Sequence, residues 1–173
     1  VDNIGGANNA YTDRAWTCYY MSALTKYMPN AVEIIADMII NSNIDEVEFN
    51  KEKNVVLEEI KRSEDDPDSY IYDIFLDTAL SGYIASKPIL GYSKSIQDMT
   101  RQDMYDYWQA KYRPDNILVV AAGNLEHQAF VDEVQKTFGS LTGKSVPRII
   151  ENPEVSYTTK YVNKPIEQVH FCC

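Results

Sequence analysis

Histidine and cysteine are scarce in this sequence. The two histidines, His127 and His170, are distant from each other and not at metal-ligand spacing. The three cysteines are an odd number and do not make a disulfide framework. Cys172 and Cys173 are adjacent, which places their Cα atoms closer than a relaxed disulfide prefers. We therefore expect a reducing, cytoplasmic compartment, and we expect any metal site to draw on other residue types or on residues outside this chain.

Basic residues and long apolar runs are also lacking. Lys and Arg number 16 against 26 Asp and Glu, for a formal net charge of -10 and a pI near 4.6. No basic patch offsets this acidity, so we expect no nucleic-acid partner. No apolar run approaches the roughly 20 residues of a membrane span, and no signal peptide opens the chain, so we expect no membrane association. The acidic balance fits a protein that attracts basic ligands.

The length and the two ends suggest a partial domain. A chain of 173 residues with 45% hydrophobic content can bury roughly 70% of its unfolded surface as one domain. It opens on Val1 rather than Met and ends in a strand-like pattern without a turn. We therefore expect residues 1–173 to form a single partial domain, truncated at both ends. Residues 139–153 are rich in Gly, Ser and Pro and predict an exposed connection before the last two strands.

Periodicity and end signals predict five helices and four strands. The predicted helices cover 29–42, 46–64, 67–80, 126–138 and a segment between Thr100 and Arg113. The predicted strands cover 15–24, 117–122, 155–162 and 167–172, and the second is expected to be buried on both faces or central in its sheet. This uneven interleaving predicts an α+β fold with helices layered on a largely antiparallel sheet.

The helix over 46–64 carries the main candidate site. Its apolar residues share one arc, which contains Phe49, Val55, Val56, Leu57 and Ile60. Glu52 and Glu59, a heptad apart, fall inside that arc and are predicted to face inward, whereas Glu58 is predicted to face water. A buried carboxylate is costly unless it is paired, hydrogen-bonded or bound to a metal. Two interpretations stay open: boundary residues with solvated or salt-bridged heads, or a metal site whose other ligands lie elsewhere.

Several segments, taken in order and spacing, resemble the pitrilysin/insulinase-type zinc peptidases. The first three segments are residues 5–12, the strand that contains Thr17, Tyr19 and Tyr20, and the helix that contains Glu52 and Glu59. The other two are residues 87–91 and the segment from 112–116 to 123–124. The resemblance spans nearly the whole chain and is strongest to bacterial relatives of the mitochondrial processing peptidase. It implies the metallopeptidase α+β domain and extended peptides as substrates.

The resemblance also implies roles for individual residues. The family uses an H-x-x-E-H helix for two zinc-binding histidines and a general-base glutamate. Glu59 matches the third zinc ligand, and Glu52 matches an acidic residue that supports the site. The H-x-x-E-H helix would precede Val1, so this chain is expected to hold no catalytic residue. Zinc is expected in the full-length parent and not in this chain alone.

Asn9, Ala10 and Tyr11 match the strand edge that pairs with a peptide substrate in this family. If the resemblance is set aside, the residues equally allow a turn formed by Asn9 and Thr12, with the Tyr11 side chain packed against the protein. The resemblance further implies two missing partners, an N-terminal segment and a homologous C-terminal domain that contributes an Arg/Tyr pair. Exposed sheet edges make a homo-oligomer possible.

Three functional interpretations compete. The first is a fragment of a zinc metalloendopeptidase that cleaves peptides or targeting presequences and is inactive alone. The second is a non-catalytic subunit of the same fold that acts as an interaction protein. The third is an unrelated α+β binding module. The sequence upstream of Val1 separates them, because it would encode an intact H-x-x-E-H helix, a degenerate one, or none.

Overall fold

The computed structural model describes residues 1–173 except the side chain of Asp2. The chain divides into two compact units. Unit 1 comprises Val1–Ile44 and Arg101–Pro147, and unit 2 comprises Asp45–Thr100 and Arg148–Cys173. The interpretation of 1–173 as one partial domain remains a prediction.

A β-hairpin opens unit 1. Strand β1 (Ala7–Thr12) pairs antiparallel with β2 (Thr17–Ser22), with Ala7 opposite Ser22 and Thr12 opposite Thr17. The predicted strand over 15–24 is thus confirmed in its central part. Residues 9–12, for which a strand edge and a turn were both open, are part of a paired strand. The turn interpretation of Asn9 and Thr12 is therefore wrong.

Helices account for most of the remaining regular structure. They are α1 (Met28–Ile40), α2 (Glu46–Asp65), α3 (Pro67–Ala79), α4 (Ser93–Asp98), α5 (Arg101–Lys111) and α6 (His127–Phe138). The five predicted helices are confirmed, and α4 was missed because the six-residue helix is too short to show apolar periodicity. No helix in the described part of the chain combines the length and the apolar character that a membrane crossing requires.

The start of α2 follows directly from its sequence. The Asp45 carboxylate accepts hydrogen bonds from the backbone N–H groups of Val47, at 2.9 Å, and Glu48, at 3.1 Å. Asp45 is thus the N-cap of α2 and satisfies donors that the first helical turn leaves unpaired. Asp66 caps α3 in the same way through Ser69, and Pro67 occupies the first turn.

The core of unit 1 lies between α1 and α6. Val32, Ala36 and Ile39 of α1 are buried together with Phe138 at the end of α6. The Trp108 indole N–H of α5 donates to the Ile39 carbonyl at 2.8 Å. These contacts position the hairpin, because Tyr19 of β2 packs against the same cluster.

Three of the four predicted strands are not strands in the structure. Residues 117–122, 155–162 and 167–172 have no regular secondary structure, and β1 with β2 is the one sheet among the described residues. Residues 117–122 are not buried on both faces, since Leu118 is 87% exposed while Ile117 and Val119 pack against the core of unit 1. A strand requires a hydrogen-bonded neighbour as well as a suitable sequence, and these segments find none in the part of the chain described.

Unit 2 contains α2, α3 and α4, and its last residues run beside α3. The Ser156 N–H donates to the Ala79 carbonyl at 2.8 Å, and Lys160 forms an ion pair with Asp77 at 3.0 Å. The predicted connection over 139–153 is mostly exposed. The combination of packed helices with an antiparallel hairpin confirms the α+β class.

Candidate functional site

The α2 helix places Glu52 and Glu59 beside its buried stripe. The stripe contains Phe49, Lys53, Val56, Leu57 and Ile60, of which Ile60 is the most buried. Glu52 and Glu59 lie roughly 80–100° from Ile60 around the helix axis, and both are exposed. The prediction that they face inward is therefore wrong for the described residues. The packing of unit 2 covers the Ile60 side of the helix and leaves their flank open, together with the half-exposed Val55.

Two other carboxylates of α2, those of Glu48 and Glu58, are paired with lysines, whereas those of Glu52 and Glu59 are not. The Glu58 carboxylate accepts from the Lys61 ammonium at 2.5 Å, and Glu48 accepts from Lys51 at 2.7 Å. Among the residues the structure describes, Glu52 and Glu59 make no hydrogen bond or ion pair. The salt-bridged form of the boundary interpretation is thus not observed. Two solvated carboxylates project from one flank of the longest helix.

The donor set for a metal is incomplete within the described residues. They contain no group of three or more His, Cys, Asp or Glu side chains that could hold a metal ion. His127 is exposed at the start of α6. The His170 Nδ1 lies 3.0 Å from Asp68, and its Nε2 lies 3.2 Å from Gln168. A catalytic zinc site takes three protein ligands. Within the described residues, the exposed carboxylate of Glu52 or Glu59 is available as a single ligand, and the described residues do not form such a site alone.

Lys53 was not identified from the sequence as important to this helix. It lies within the apolar stripe of α2, and its ammonium donates to the carbonyl oxygens of Gln97, at 2.8 Å, and Met99, at 2.7 Å. Both acceptors are at the carboxyl end of α4, where a cation is favourable. The sequence signal that could have identified Lys53 is a single lysine at a position of the apolar stripe.

The second candidate region is the outer edge of β1. The Asp13 N–H donates to the Trp16 carbonyl at 2.8 Å, which makes these residues a hydrogen-bonded pair. Such pairs alternate along an antiparallel ladder, so the main-chain groups of Asn9 and Tyr11 point to β2 and those of Ala10 point outward. The Ala10 N–H indeed reaches the Asn9 side-chain oxygen, at 2.8 Å, rather than β2. Among the described residues, no strand pairs with this edge.

One face of the hairpin carries three exposed aromatic rings. The Tyr11 ring centroid lies 5.2 Å from Trp16 and 6.2 Å from Tyr20, with both ring pairs edge-to-face. Partial desolvation raises the pKa of Tyr11, and the neighbouring Cys18 thiol adds to the rise. Trp16 and Tyr20 were not singled out as site residues, because only the observed register brings them to Tyr11.

The comparisons with protein families cover nearly all of the chain. Residues 1–92 match the family described as Insulinase (Peptidase family M16). Residues 98–173 match the family described as Peptidase M16 inactive domain. The boundary between the two matches falls at α4.

Individual relatives agree with these matches. An uncharacterized zinc protease of Bacillus subtilis (strain 168), YmxG, is 38% identical over an alignment of 175 residues, gaps included, which covers 99% of this chain and 42% of that protein. An uncharacterized zinc protease of Mycobacterium tuberculosis (strain H37Rv) is 35% identical over 140 residues, covering 81% of this chain and 32% of the relative. The crystal structure of a protease from Helicobacter pylori superposes with a TM-score of 0.81 at 26% identity, covering 88% of this chain and 38% of that one. This chain therefore spans about two fifths or less of the length of these proteins.

Proposed function

The chain belongs to the insulinase family of peptidases, family M16, and on that premise we propose that it is part of a longer zinc-dependent metalloendopeptidase that cleaves peptides or targeting presequences. In this proposal Glu59 is the third zinc ligand and Glu52 supports it. Asn9, Ala10 and Tyr11 form the edge that holds an extended peptide. The H-x-x-E-H helix and a homologous second domain are contributed by other parts of the protein.

The observation that supports this proposal is that Glu52 and Glu59 lie unpaired on the same exposed flank of α2. Glu58 and Glu48 are neutralised by lysines one turn away, whereas Glu52 and Glu59 remain unpaired on one open flank. A carboxylate that is to bind a metal held by another segment has to be free of an ion pair with lysine, because the lysine would compete for the same oxygen atoms. The coverage of about two fifths of the Bacillus subtilis relative supports further segments in the complete protein.

Zinc, when bound in such a peptidase, acts as a Lewis acid and activates water. This chain's own contribution is one anionic oxygen donor from Glu59, oriented by a long helix whose start is fixed by the Asp45 cap. A single carboxylate cannot replace a three-ligand site. We therefore expect zinc analysis of the purified chain to find less than stoichiometric metal, and peptidase assays to find no activity above background.

Three substitutions on α2 in the longer protein test the site. Glu59→Gln should remove zinc and activity, because a neutral amide is a poor ligand. Glu52→Gln should weaken zinc affinity by about 10–100-fold, the usual cost of losing a residue that orients a ligand. Glu58→Gln is the matched control and should do little, because Glu58 points away from this flank. If Glu58 proves essential and Glu59 dispensable, the site assignment is wrong.

A non-catalytic subunit of the same fold is the competing proposal. The match of residues 98–173 to a domain described as inactive is the observation that favours it. The two proposals differ in the sequence that precedes this chain. An intact H-x-x-E-H motif there supports the peptidase, and a degenerate motif supports the subunit. In either case we propose a cytoplasmic location.

A further inference from the structure

The last segment of unit 2 lies along α3 without regular secondary structure of its own. We call residues 151–170 the strap. At its start, the Ile84 N–H donates to the Glu151 carboxylate at 2.6 Å. The contacts that follow run in reverse order along the chain, so the strap is antiparallel to α3. They are those of Ser156 with Ala79, Lys160 with Asp77, Lys164 with Tyr70 and Glu64, and His170 with Asp68.

The strap is attached by polar groups rather than by apolar burial. Of residues 151–170, all of which the structure describes, only Glu151, Lys164 and His170 are half-buried, and each of them makes one of these polar contacts. The apolar side chains of the strap are exposed, including Tyr157 and Val169, the latter at 97%. The strap therefore gains little from the hydrophobic effect, which is the dominant favourable contribution to folding.

The charges of the strap complement the surface on which it lies. The Lys160 ammonium is 3.0 Å from the Asp77 carboxylate, and both side chains are about half exposed. The Lys164 ammonium donates to the Glu64 carbonyl near the end of α2 and lies 4.2 Å from the centroid of the Tyr70 ring. Salt screens contacts between exposed charges. The attachment of the strap should therefore weaken as ionic strength rises.

The closed position of the strap is only slightly favoured over release. Ordering each residue of an extended segment costs backbone entropy, whereas an exposed ion pair contributes little stability. Segments with few buried apolar contacts open locally while the rest of the protein stays folded. Because these contacts are spread along one continuous segment, the loss of one contact weakens its neighbours. The closed and open forms should therefore both be populated, and the strap should open as a unit.

We propose that the strap is a charge-dependent latch that opens from α3 and frees residues 155–162 to pair as a strand with the same segment of a second copy of this chain. In the closed form the Ser156 N–H donates to the Ala79 carbonyl, so it is not available to a ladder. Residues 155–162 are rich in strand-forming residues, and strand pairing needs their main-chain groups free. Opening therefore precedes pairing. The latch is independent of the proposed zinc ligand and peptide edge.

The test is the rate at which trypsin cleaves the purified chain after Lys160. Lys164 precedes Pro165 and is not a competing cleavage site. A protease cuts such a segment when it leaves the protein surface, so this rate, divided by the rate for a synthetic peptide of residues 151–170, measures the open fraction. We expect the open fraction to rise when salt is raised from about 0.1 M to about 1 M, because the screening length falls from about 10 Å to about 3 Å.

Substitutions of the strap contacts should raise the open fraction at constant salt. Asp77→Asn removes the partner of Lys160 but keeps the cleavage site, and it should raise the open fraction about two- to fivefold, the equivalent of one exposed ion pair. Lys164→Gln should raise it about tenfold or more, because a charged hydrogen bond and a cation–π contact are both lost. Lys164→Arg keeps the cation and should leave the strap closed.

The matched control is Glu58→Gln. Like Asp77→Asn, it removes one negative charge and one exposed ion pair of unit 2, but Glu58 makes none of the strap contacts described above. It should leave the open fraction unchanged. In sedimentation at tens of micromolar, Asp77→Asn should form more oligomer than Glu58→Gln, although the two variants have the same net charge.

Three results would overturn the latch. They are an open fraction that does not respond to salt, a wild-type chain that is cleaved as fast as the peptide at about 0.1 M salt, and equal open fractions in Asp77→Asn and Glu58→Gln. A raised open fraction without additional oligomer would overturn the proposed pairing. If Asp77→Asn loses the circular dichroism spectrum of the wild type, the comparison of Lys164→Gln with Lys164→Arg decides in its place.

Discussion

The Lys53 ammonium lies 2.7 Å from the carbonyl oxygen of Met99. A charged residue in the apolar stripe of α2 therefore donates a hydrogen bond to the carboxyl end of α4. The last carbonyls of a helix have no intrahelical donor, and a cation there also interacts favourably with the helix dipole. This contact joins the buried stripe of α2 to the end of α4. Glu52 and Glu59 lie on the flank of α2 beside that stripe.

Replacing Lys53 tests this contact. Lys53→Met retains most of the packed stem but removes the donor, which leaves the carbonyls of Gln97 and Met99 without it. We expect the free energy of unfolding to fall by about 1–2 kcal/mol, measured by urea denaturation of the chain. Lys51→Met is the matched control, because Lys51 makes an exposed ion pair with Glu48, and it should change stability by less than about 0.5 kcal/mol. Equal effects of the two substitutions would show that the Lys53 contact is not structural.

A second prediction concerns the paired hydroxyls of Tyr19 and Tyr112. Burial raises the pKa of Tyr112 well above its usual range, and the hydrogen bond with Tyr19 adds to the rise. Tyr112→Phe should lower the free energy of unfolding at pH 7 by about 0.5–1.5 kcal/mol, the usual worth of one hydrogen bond. Because the folded-state pKa is raised, the stability from this group is complete below the unfolded value of about 10 and is lost as pH rises above it.

The difference in stability between the wild type and Tyr112→Phe should therefore narrow above a pH of about 10. Denaturation curves of both proteins across the alkaline range measure this difference. Tyr72→Phe, at an exposed position on α3, is the control, and its free energy of unfolding should differ from that of the wild type by less than about 0.5 kcal/mol. A gap between wild type and Tyr112→Phe that widens on raising the pH would contradict the direction of the pKa change.

The β1 edge can be tested without touching the proposed metal site. Ala10→Pro removes the outward N–H but no hydrogen bond of the β1–β2 ladder. In the longer protein it should lower kcat/KM for peptides about two- to tenfold, which corresponds to the loss of one hydrogen bond, and leave the zinc content unchanged. Ala10→Ser keeps the N–H and is the control. Unchanged turnover in Ala10→Pro would show that the edge has only a structural role.

Unit 2 contains a strand-like segment, residues 155–162, that pairs with no other strand among the described residues, and we therefore expect the isolated chain to self-associate. Tyr157 is 96% exposed and Tyr161 is 92% exposed, within a segment of strand-forming residues that lacks a ladder partner. Such segments pair with other copies of a chain. Sedimentation at tens of micromolar should detect oligomers, and Tyr157→Lys should reduce them, because an edge charge opposes strand pairing. Tyr72→Lys, on α3, is the control, and a purely monomeric wild type would count against the prediction.

The helices of this protein could be predicted from the sequence because their signals are local. Asp45 lies next to the donors that it caps, and Asp66 with Pro67 marks the start of α3 within one turn. The apolar positions of α1 and α2 recur within three or four residues of one another. The family resemblance also depended on short segments in order, and it is confirmed by the comparisons. The assignments of Glu59, Glu52 and the β1 edge remain predictions.

Only the tertiary structure decided what the extended segments do and which carboxylates are covered. Residues 117–122 and 155–162 have strand-like sequences, but a strand exists only where a distant segment supplies its hydrogen bonds. Residues 9–12 obtained such a partner in β2. Glu52 and Glu59 share a flank in any α-helix with this sequence, so their common side is a property of the sequence. Their exposure is not, because it depends on which surfaces pack against α2, and burial is determined by contacts between segments that are far apart along the chain.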